Sequence, residues 1–306
     1  MPTPSVHVRA PGKINVYLGV GPRHDDGYHS LATVFQAVSL YEDVYASASD
    51  DFTLEVFGDV DVSGVPTDDR NLAMRAAKLL AQTAGVTTGV HLRIRKGVPV
   101  AGGMGGGSAD AAAALVACDA LWGTGLGIHR LHELAARLGA DVPFLLHGGT
   151  AVGAGRGDEL TPALARGRFD WVLVLSENGL STPQIYGRLD ELRATEGAVA
   201  DDPPLSLDVP LGVLQSLRAG DPHDLAPVLL NDLEAAAVLD RPDLAQTLAD
   251  GIRFGALGGL VSGSGPTVAL LCADPEEAYA VQNELRATRR EALHVHGPVP
   301  GARIID

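Results

Sequence analysis

Apolar residues recur along this chain with two different periods. Near the start, "SVHVRA" puts Val6 and Val8 on one face. After Pro11-Gly12, "KINVYLGV" alternates again, with Ile14, Val16, Leu18 and Val20 pointing one way and Lys13, Asn15 and Tyr17 the other. This predicts two half-buried strands separated by a Pro-Gly turn. "DGYH" reads as a turn, and "LATVFQAVSLYEDVYASA" and "FTLEVFG" as further strands. The period then lengthens. "NLAMRAAKLLAQTAG" carries Leu72, Ala76, Leu79 and Leu80 on one stripe with Gly85 past its end, a helix with its stop signal. "GVHLRIRKG" returns to alternation, with Val90, Leu92 and Ile94 set against His91, Arg93 and Arg95. Helices follow over 109–121 and, ending at Gly139, over about 128–138.

A Gly/Arg-rich run, "GAGRGDELTPALARGRF", marks a boundary, set at 165/166. Beyond it "FDWVLVLS" is a buried strand. "STPQIYGRLDELRAT" is a helix with Ser181 or Thr182 as its cap and Pro183 in its first turn. Residues 196–210 are Asp/Pro-rich and read as a surface loop. Helices are expected near 211–219, 223–239 and 242–252, then strand, glycine turn and strand in "GALGGLVSGSGPTVALLCA", a helix in "PEEAYAVQNELRATR" and a last strand in "ALHVHGPVPG". Runs of strands precede runs of helices, so the expected class is α+β. A chain of 306 residues is natural for two domains, here 1–165 and 166–306.

Composition narrows the function. A net charge of −15 argues against a nucleic-acid or anionic-membrane surface, since both need a basic face. It also means that a phosphorylated ligand must be held by local donors against an unfavourable global field. The two cysteines, Cys118 and Cys272, lie far apart without metal spacing and are expected as free thiols in a reducing compartment. "MPTPSVHVRAPGK" has no apolar core, and the longest apolar candidate is broken by Asp110 and Asp119, short of the ~18 residues of a membrane span. A cytoplasmic protein with no obligate protein partner is the expectation. Only Lys13, Lys78 and Lys96 are lysines, against twenty arginines. Where arginine is the default cation, a retained lysine hints that its compact ammonium is wanted.

The chemistry concentrates in "PVAGGMGGGSADAAAAL", where five glycines fill six positions directly before an alanine-rich helix. Ordering glycine costs backbone entropy, so something must compensate. A glycine turn feeding a helix start, here with Ser108 as the expected N-cap, offers free N–H groups and the positive end of the helix dipole to an anion. No lysine follows these glycines, so this is not a Walker loop. A G-x-G-x-x-G can be forced from Gly102 or Gly103, but the acidic residue a dinucleotide fold needs about 20 positions on is replaced by the turn "ALWGTGLGIHR". A structural turn and a phosphate cradle remain, and the cradle is the stronger reading.

"PVAGGMGGGSADAA" resembles the second motif of the GHMP kinases, with Met104 where leucine is common. "APGKINVYL" resembles the first motif of that family and "VSGSGPTVALL" the third. The resemblance implies a two-domain fold, its N-terminal domain like the second domain of ribosomal protein S5 and its C-terminal domain ferredoxin-like. It implies ATP and Mg2+, with the nucleotide wrapped by Pro99, Val100, Ala101, Gly102, Gly103, Met104, Gly105, Gly106, Gly107, Ser108 and Ala109. "GKINVYLGVGPRHDDGYHSLATVFQAVSLYEDV", "GADVPFLLHGGTAVGAGRGDEL" and "NDLE" narrow it further. They resemble those GHMP kinases that phosphorylate the 2-hydroxyl of a cytidine-diphosphate-linked methylerythritol in isoprenoid precursor synthesis. A GHMP kinase acting on homoserine or a mevalonate derivative is the alternative, as is a non-catalytic nucleotide-binding relative. The latter would have lost Lys13 or Asp141, and both are present.

Residue roles follow from that resemblance. Locally, Asp141 in "GADVPFLL" fits a helix N-cap as well as it fits catalysis; the resemblance makes it the acid–base residue, with Lys13 beside it. Asn15 is expected on the substrate or on Asp141. Tyr28 and His29 are expected to form the cytidine pocket, closed by Tyr186, with Phe35 as wall or core. Gly263, Ser264 and Gly265 support the phosphates or face the substrate's diphosphate. The Ser108 hydroxyl is a candidate contact for phosphate or Mg2+, whereas Asp110 is expected to complement the helix dipole. No other metal ligand is placed.

Overall fold

The computed structural model describes residues 5–58, 60–176, 178–195 and 207–305. Among these, β1 (Ser5–Arg23) and β2 (His29–Ser49) form a long antiparallel hairpin, followed by β3 (Thr53–Gly58), α1 (Leu72–Ala84), β4 (Gly89–Lys96), α2 (Gly106–Trp122), α3 (Gly127–Leu138), α4 (Val142–His147), β5 (Thr150–Ala154) and β6 (Glu159–Pro162). The second half runs β7 (Phe169–Val174), α5 (Thr182–Thr195), α6 (Leu211–Ala219), α7 (Pro222–Leu225), β8 (Leu230–Asn231), α8 (Glu234–Asp240), α9 (Asp243–Arg253), β9 (Gly258–Val261), β10 (Val268–Cys272), α10 (Pro275–Ala287), β11 (Ala292–Gly297) and β12 (Arg303–Ile304). One sheet has the order β12-β1-β2-β4-β3, with β5 on β2, β6 on β5 and β8 on β1. The other has the order β11-β7-β10-β9, all antiparallel. With helices between β7 and β9 and between β10 and β11, that second unit is ferredoxin-like, and the chain is α+β as expected.

The two strands expected at the N-terminus are one. Pro11-Gly12 is not a turn: the pairing slips there from Pro11↔Tyr41 to Gly12↔Val38, and the hairpin continues. A register shift tolerates a residue with no N–H, and it re-aims the side chains that follow. Before it, Val8 and Ala10 pack in the core under α1 and α2. After it, Ile14 and Val16 pack with Phe169, Trp171 and Leu173 of the second sheet, and the Trp171 Nε1–H donates to Gln36 Oε1 at 3.0 Å. Leu18 and Val20 reach a third cluster with Val172 and Leu270. The middle of β1 therefore has no solvent face. Lys13 and Asn15, opposite Ile14, are themselves buried at 6% and 3% exposure.

α2 has no polar face because most of its central turns are buried. Ala109 and Ala111 to Ala114 are fully buried between the sheet and α1. α1 begins as its sequence suggests, with Asn71 Oδ1 accepting the Ala73 N–H at 2.9 Å, and it stops at a left-handed Gly85. The helix expected over 223–239 is broken into α7, a 3-10 turn at Ala226–Val228, β8 and α8. Pro227 cannot continue the helical hydrogen bonding, and Leu230 and Asn231 are drawn into pairing with Tyr17 and Leu18. Most of the surface loop expected over 196–210 lies outside the described residues. Cys118 and Cys272 are buried and unpaired, and burial pushes the Cys272 thiol up to about 12. No helix among the described residues is long and apolar enough to cross a membrane.

Candidate active site

A cleft of about 560 Å³ opens where β1, the start of α2, the start of α4 and the β9–β10 turn converge. Its floor is the glycine loop. Met104, 1% exposed, anchors the loop in the core, and its carbonyl accepts the Lys13 N–H at 3.0 Å. Gly103 has φ +77°, and a Cβ there would lie 2.2 Å from the Ser262 carbonyl oxygen, so no other residue fits. The helix starts earlier than expected. Gly105, left-handed at φ +73°, occupies the N-cap without any side-chain bond, and Gly106 is already helical. Ser108 is thus not the cap but the third residue of α2. Because nothing caps the helix, its first N–H groups are left for whatever enters the cleft. The earlier start also overturns the reading of Asp110. It falls in the second turn, buried against Lys96, and so does not serve the dipole at the helix end.

Lys13 and Asp141 meet above this loop. Lys13 Nζ lies 3.9 Å from Asp141 Oδ2 and donates to Asn15 Oδ1 at 2.8 Å. Asn15 Nδ2 donates in turn to Thr33 Oγ1 at 2.8 Å, and Thr33 Oγ1 to the Tyr17 carbonyl at 2.8 Å. This chain of donors fixes the orientation of each member and presents an oxygen to the ammonium, which also sits 5.3 Å from the centre of the Phe35 ring. Phe35 is both core and wall. Asp141 occupies the N-cap position of α4, yet its side chain makes no capping bond and is one third exposed to the cleft. Pro143, with no N–H to offer, belongs to that first turn. A carboxylate placed there and left uncapped is available for chemistry.

The second glycine turn closes the other side. A Cβ on Gly263 would lie 3.4 Å from Asn15 Oδ1 and 3.5 Å from Lys13 Nζ. Ser264 lines the cleft, its hydroxyl 2.8 Å from Thr182 Oγ1, and Gly265 turns back against Val261. The turn is braced from "NDLE". Asn231 Nδ2 donates to the carbonyls of Val261 and Gly263 at 2.7 Å each, its Oδ1 accepts the Leu233 N–H, and Glu234 accepts the Val261 N–H at 2.9 Å.

At the far end Tyr186 lines the cleft, its phenol pushed up to about 12 by burial and by the Asp141 carboxylate. The ring beside it is His29, 5.1 Å between centroids, whose Nε2 is hydrogen-bonded to Asp190 Oδ1 at 2.8 Å. Tyr28 is exposed at the rim, and one face of its ring is covered by the Arg156 guanidinium at 4.0 Å, itself held by Asp26. Asp190, Arg156, Thr33 and Asn231 were not legible as site residues, because each is defined by a partner remote in the chain.

Residues 71–149 match the family model described as the GHMP kinases N terminal domain, and residues 213–290 match GHMP kinases C terminal. The chain is 57% identical over 302 residues to 4-diphosphocytidyl-2-C-methyl-D-erythritol kinase of Leifsonia xyli subsp. xyli, covering 98% of this chain and 99% of that protein. It is 56% identical to the protein of the same name in Clavibacter michiganensis subsp. michiganensis, covering 98% of this chain and 96% of that protein. A crystal structure of 4-(cytidine 5'-diphospho)-2C-methyl-D-erythritol kinase superposes with a TM-score of 0.76 at 32% identity, covering 95% of this chain and 98% of that one. A homoserine kinase from Cytophaga hutchinsonii superposes nearly as well, TM-score 0.75 over 100% of this chain and 98% of that one, but at 20% identity it shares the fold alone. With both halves matched and near-complete coverage of close relatives, the chain belongs to the GHMP kinase family and is an ATP-dependent small-molecule kinase.

Proposed function

We propose that the chain transfers the γ-phosphoryl group of ATP to the tertiary 2-hydroxyl of 4-diphosphocytidyl-2-C-methyl-D-erythritol. The observation that carries this reading is the meeting of Lys13 and Asp141 over the uncapped start of α2, in a chain 57% identical to a kinase of that name. Phosphoryl transfer asks the protein mainly for in-line placement and charge neutralisation. The free N–H groups of Gly106, Gly107 and Ser108 bind phosphate oxygens, and the apolar end of the cleft at Val65, Pro66 and Leu72 receives the adenine. Tyr186, with the buried His29 beside it, and Tyr28 at the rim receive the cytidine end of the acceptor.

Between the two ends the acceptor hydroxyl lies against Asp141. As the oxygen begins to bond to phosphorus its proton becomes acidic, and the carboxylate takes it. The Lys13 ammonium, aimed by Asn15 and Thr33, stabilises the charge on the transferring group. Mg2+ fits this cleft as an ion carried by the nucleotide. The Ser108 hydroxyl is an oxygen donor in the first turn of α2, suited to a hard cation that keeps several of its waters. When bound, the ion neutralises charge on the phosphates. We take the reaction to be cytoplasmic, since two unpaired thiols suit a reducing compartment.

The regiochemistry is tested by proton-coupled 31P spectroscopy of the product. A monoester on the tertiary carbon has no proton on that carbon and gives a singlet. A doublet or triplet means that another hydroxyl took the phosphoryl group and overturns the assignment.

A further inference from the structure

Lys96, the last residue of β4, is 2% exposed and lies between two carboxylates. Its Nζ is 2.6 Å from Glu42 Oε1 on β2 and 2.6 Å from Asp110 Oδ2 on α2. Glu42 is fully buried and Asp110 is 2% exposed. The other oxygen of Glu42 accepts the Gly97 N–H at 2.9 Å, and a Cβ on Gly106 would come within 2.9 Å of Glu42 Oε1 and 3.4 Å of Lys96 Nζ. Gly97 opens the glycine loop, and Gly106 is the first residue after it. Both ends of the loop therefore rest on one carboxylate, with Lys96 just before the loop and Asp110 one turn after it.

Such a cluster is expensive. Burial, and then the Asp110 charge, push Glu42 up to about 8, and burial raises Asp110 as well. Burial opposes the Lys96 charge, but the two carboxylates outweigh it and hold the ammonium above its ordinary value. Asp110 Oδ1 is buried without a hydrogen-bond partner, and Glu42 Oε1 meets Lys96 as an ion pair without hydrogen-bond geometry. Apolar side chains would fill this space at less cost, so the trio is poor support for stability as such. What it supplies is a fixed spacing: two hydrogen bonds, Lys96 to Asp110 and the Gly97 N–H to Glu42, and the Lys96–Glu42 ion pair tie β2, β4 and α2 together. Lys96 and Asp110 also line the cleft on the side of the phosphate loop.

We propose that Lys96, Glu42 and Asp110 clasp the neck of the phosphate loop and hold it in its nucleotide-binding shape. They are positioning residues for the nucleotide rather than for the acceptor, a role that rests on ATP being the donor. The test uses Lys96→Met, Glu42→Gln and Asp110→Asn in the full chain. Each is examined by calorimetric binding of a non-hydrolysable ATP analogue, which needs no acceptor, by KM for ATP and for the acceptor, and by circular dichroism.

In the variants that fold, the dissociation constant of the analogue and KM for ATP rise about tenfold or more, while KM for the acceptor moves by less than about twofold. Unchanged nucleotide affinity in the folded variants overturns the clasp. So does an equal rise in both KM values, or unfolding of all three variants, because the trio would then hold the whole domain. If the unaltered protein does not bind the analogue, the donor assignment falls and the clasp with it. If it binds the analogue but phosphorylates no cytidyl acceptor, only the acceptor assignment falls.

Discussion

Asp141→Asn is expected to lower kcat by about 10²-fold or more, since positioned acid–base groups contribute ~10²–10⁴. The amide keeps the size of the carboxylate but cannot take the proton of the attacking hydroxyl. Structure should survive the change. The Asp141 side chain caps nothing, is one third exposed, and contributes to α4 through its backbone carbonyl, which accepts the Leu145 N–H at 3.1 Å in either form. Stability should move by no more than ~0.5 kcal/mol. The loss should appear in kcat, with KM for ATP little altered, because the loop N–H groups that hold the phosphates are untouched. Steady-state kinetics together with a thermal melt separate these outcomes. A turnover within about threefold of the unaltered protein would remove Asp141 from the reaction.

Lys13→Met should lower kcat by about 10²–10³-fold, the scale of losing one preorganised donor at a site of developing charge. The thioether chain preserves the packing against Phe35 and leaves the backbone bond to Met104 in place. It leaves Asn15 Oδ1 without its donor and Asp141 without its counter-charge. Arginine is no substitute, because the site is 6% exposed and Gly263 stands against the ammonium. The double variant Lys13→Met/Asp141→Asn should be little slower than the slower single variant, since the two groups act on one transition state. Losses that multiplied would mean that the two side chains work independently.

Much of this site could be read from the chain, and the exceptions share a cause. The glycine loop announced a phosphate cradle because the signal is local: backbone freedom followed at once by a helix. Local signals also located α1 by its apolar stripe, α2 by its alanine run, and α3 and α10 by their helix-forming stretches. The Pro-Gly pair in β1 misled because a bulge and a turn have the same composition, and only the partner strand tells them apart. Ser108 was favoured as a cap by side-chain preference, whereas the left-handed Gly105 starts the helix three residues earlier and turns Asp110 inward. Lys96 was as conspicuous among the few lysines as Lys13. Its partner Glu42 is 55 residues from the Gly97 amide that the same carboxylate holds, and nothing in "RIRKG" points to it. Asn231 appeared in a recognisable "NDLE", but its task of bracing the Val261 and Gly263 carbonyls, some thirty residues on, exists only once the β9–β10 turn is folded against it.

The most direct measurement of the central claim is acceptor selectivity. The purified chain is supplied with ATP and Mg2+ and, in parallel, with 4-diphosphocytidyl-2-C-methyl-D-erythritol, homoserine and mevalonate, and kcat/KM is measured for each. The Tyr186 wall of the cleft, with His29 packed behind it, predicts turnover of the cytidyl alcohol and a preference of at least ~10³-fold over the other two, as expected when bonds and stacking to a nucleotide are absent. Turnover of homoserine or mevalonate with none of the cytidyl alcohol would contradict it.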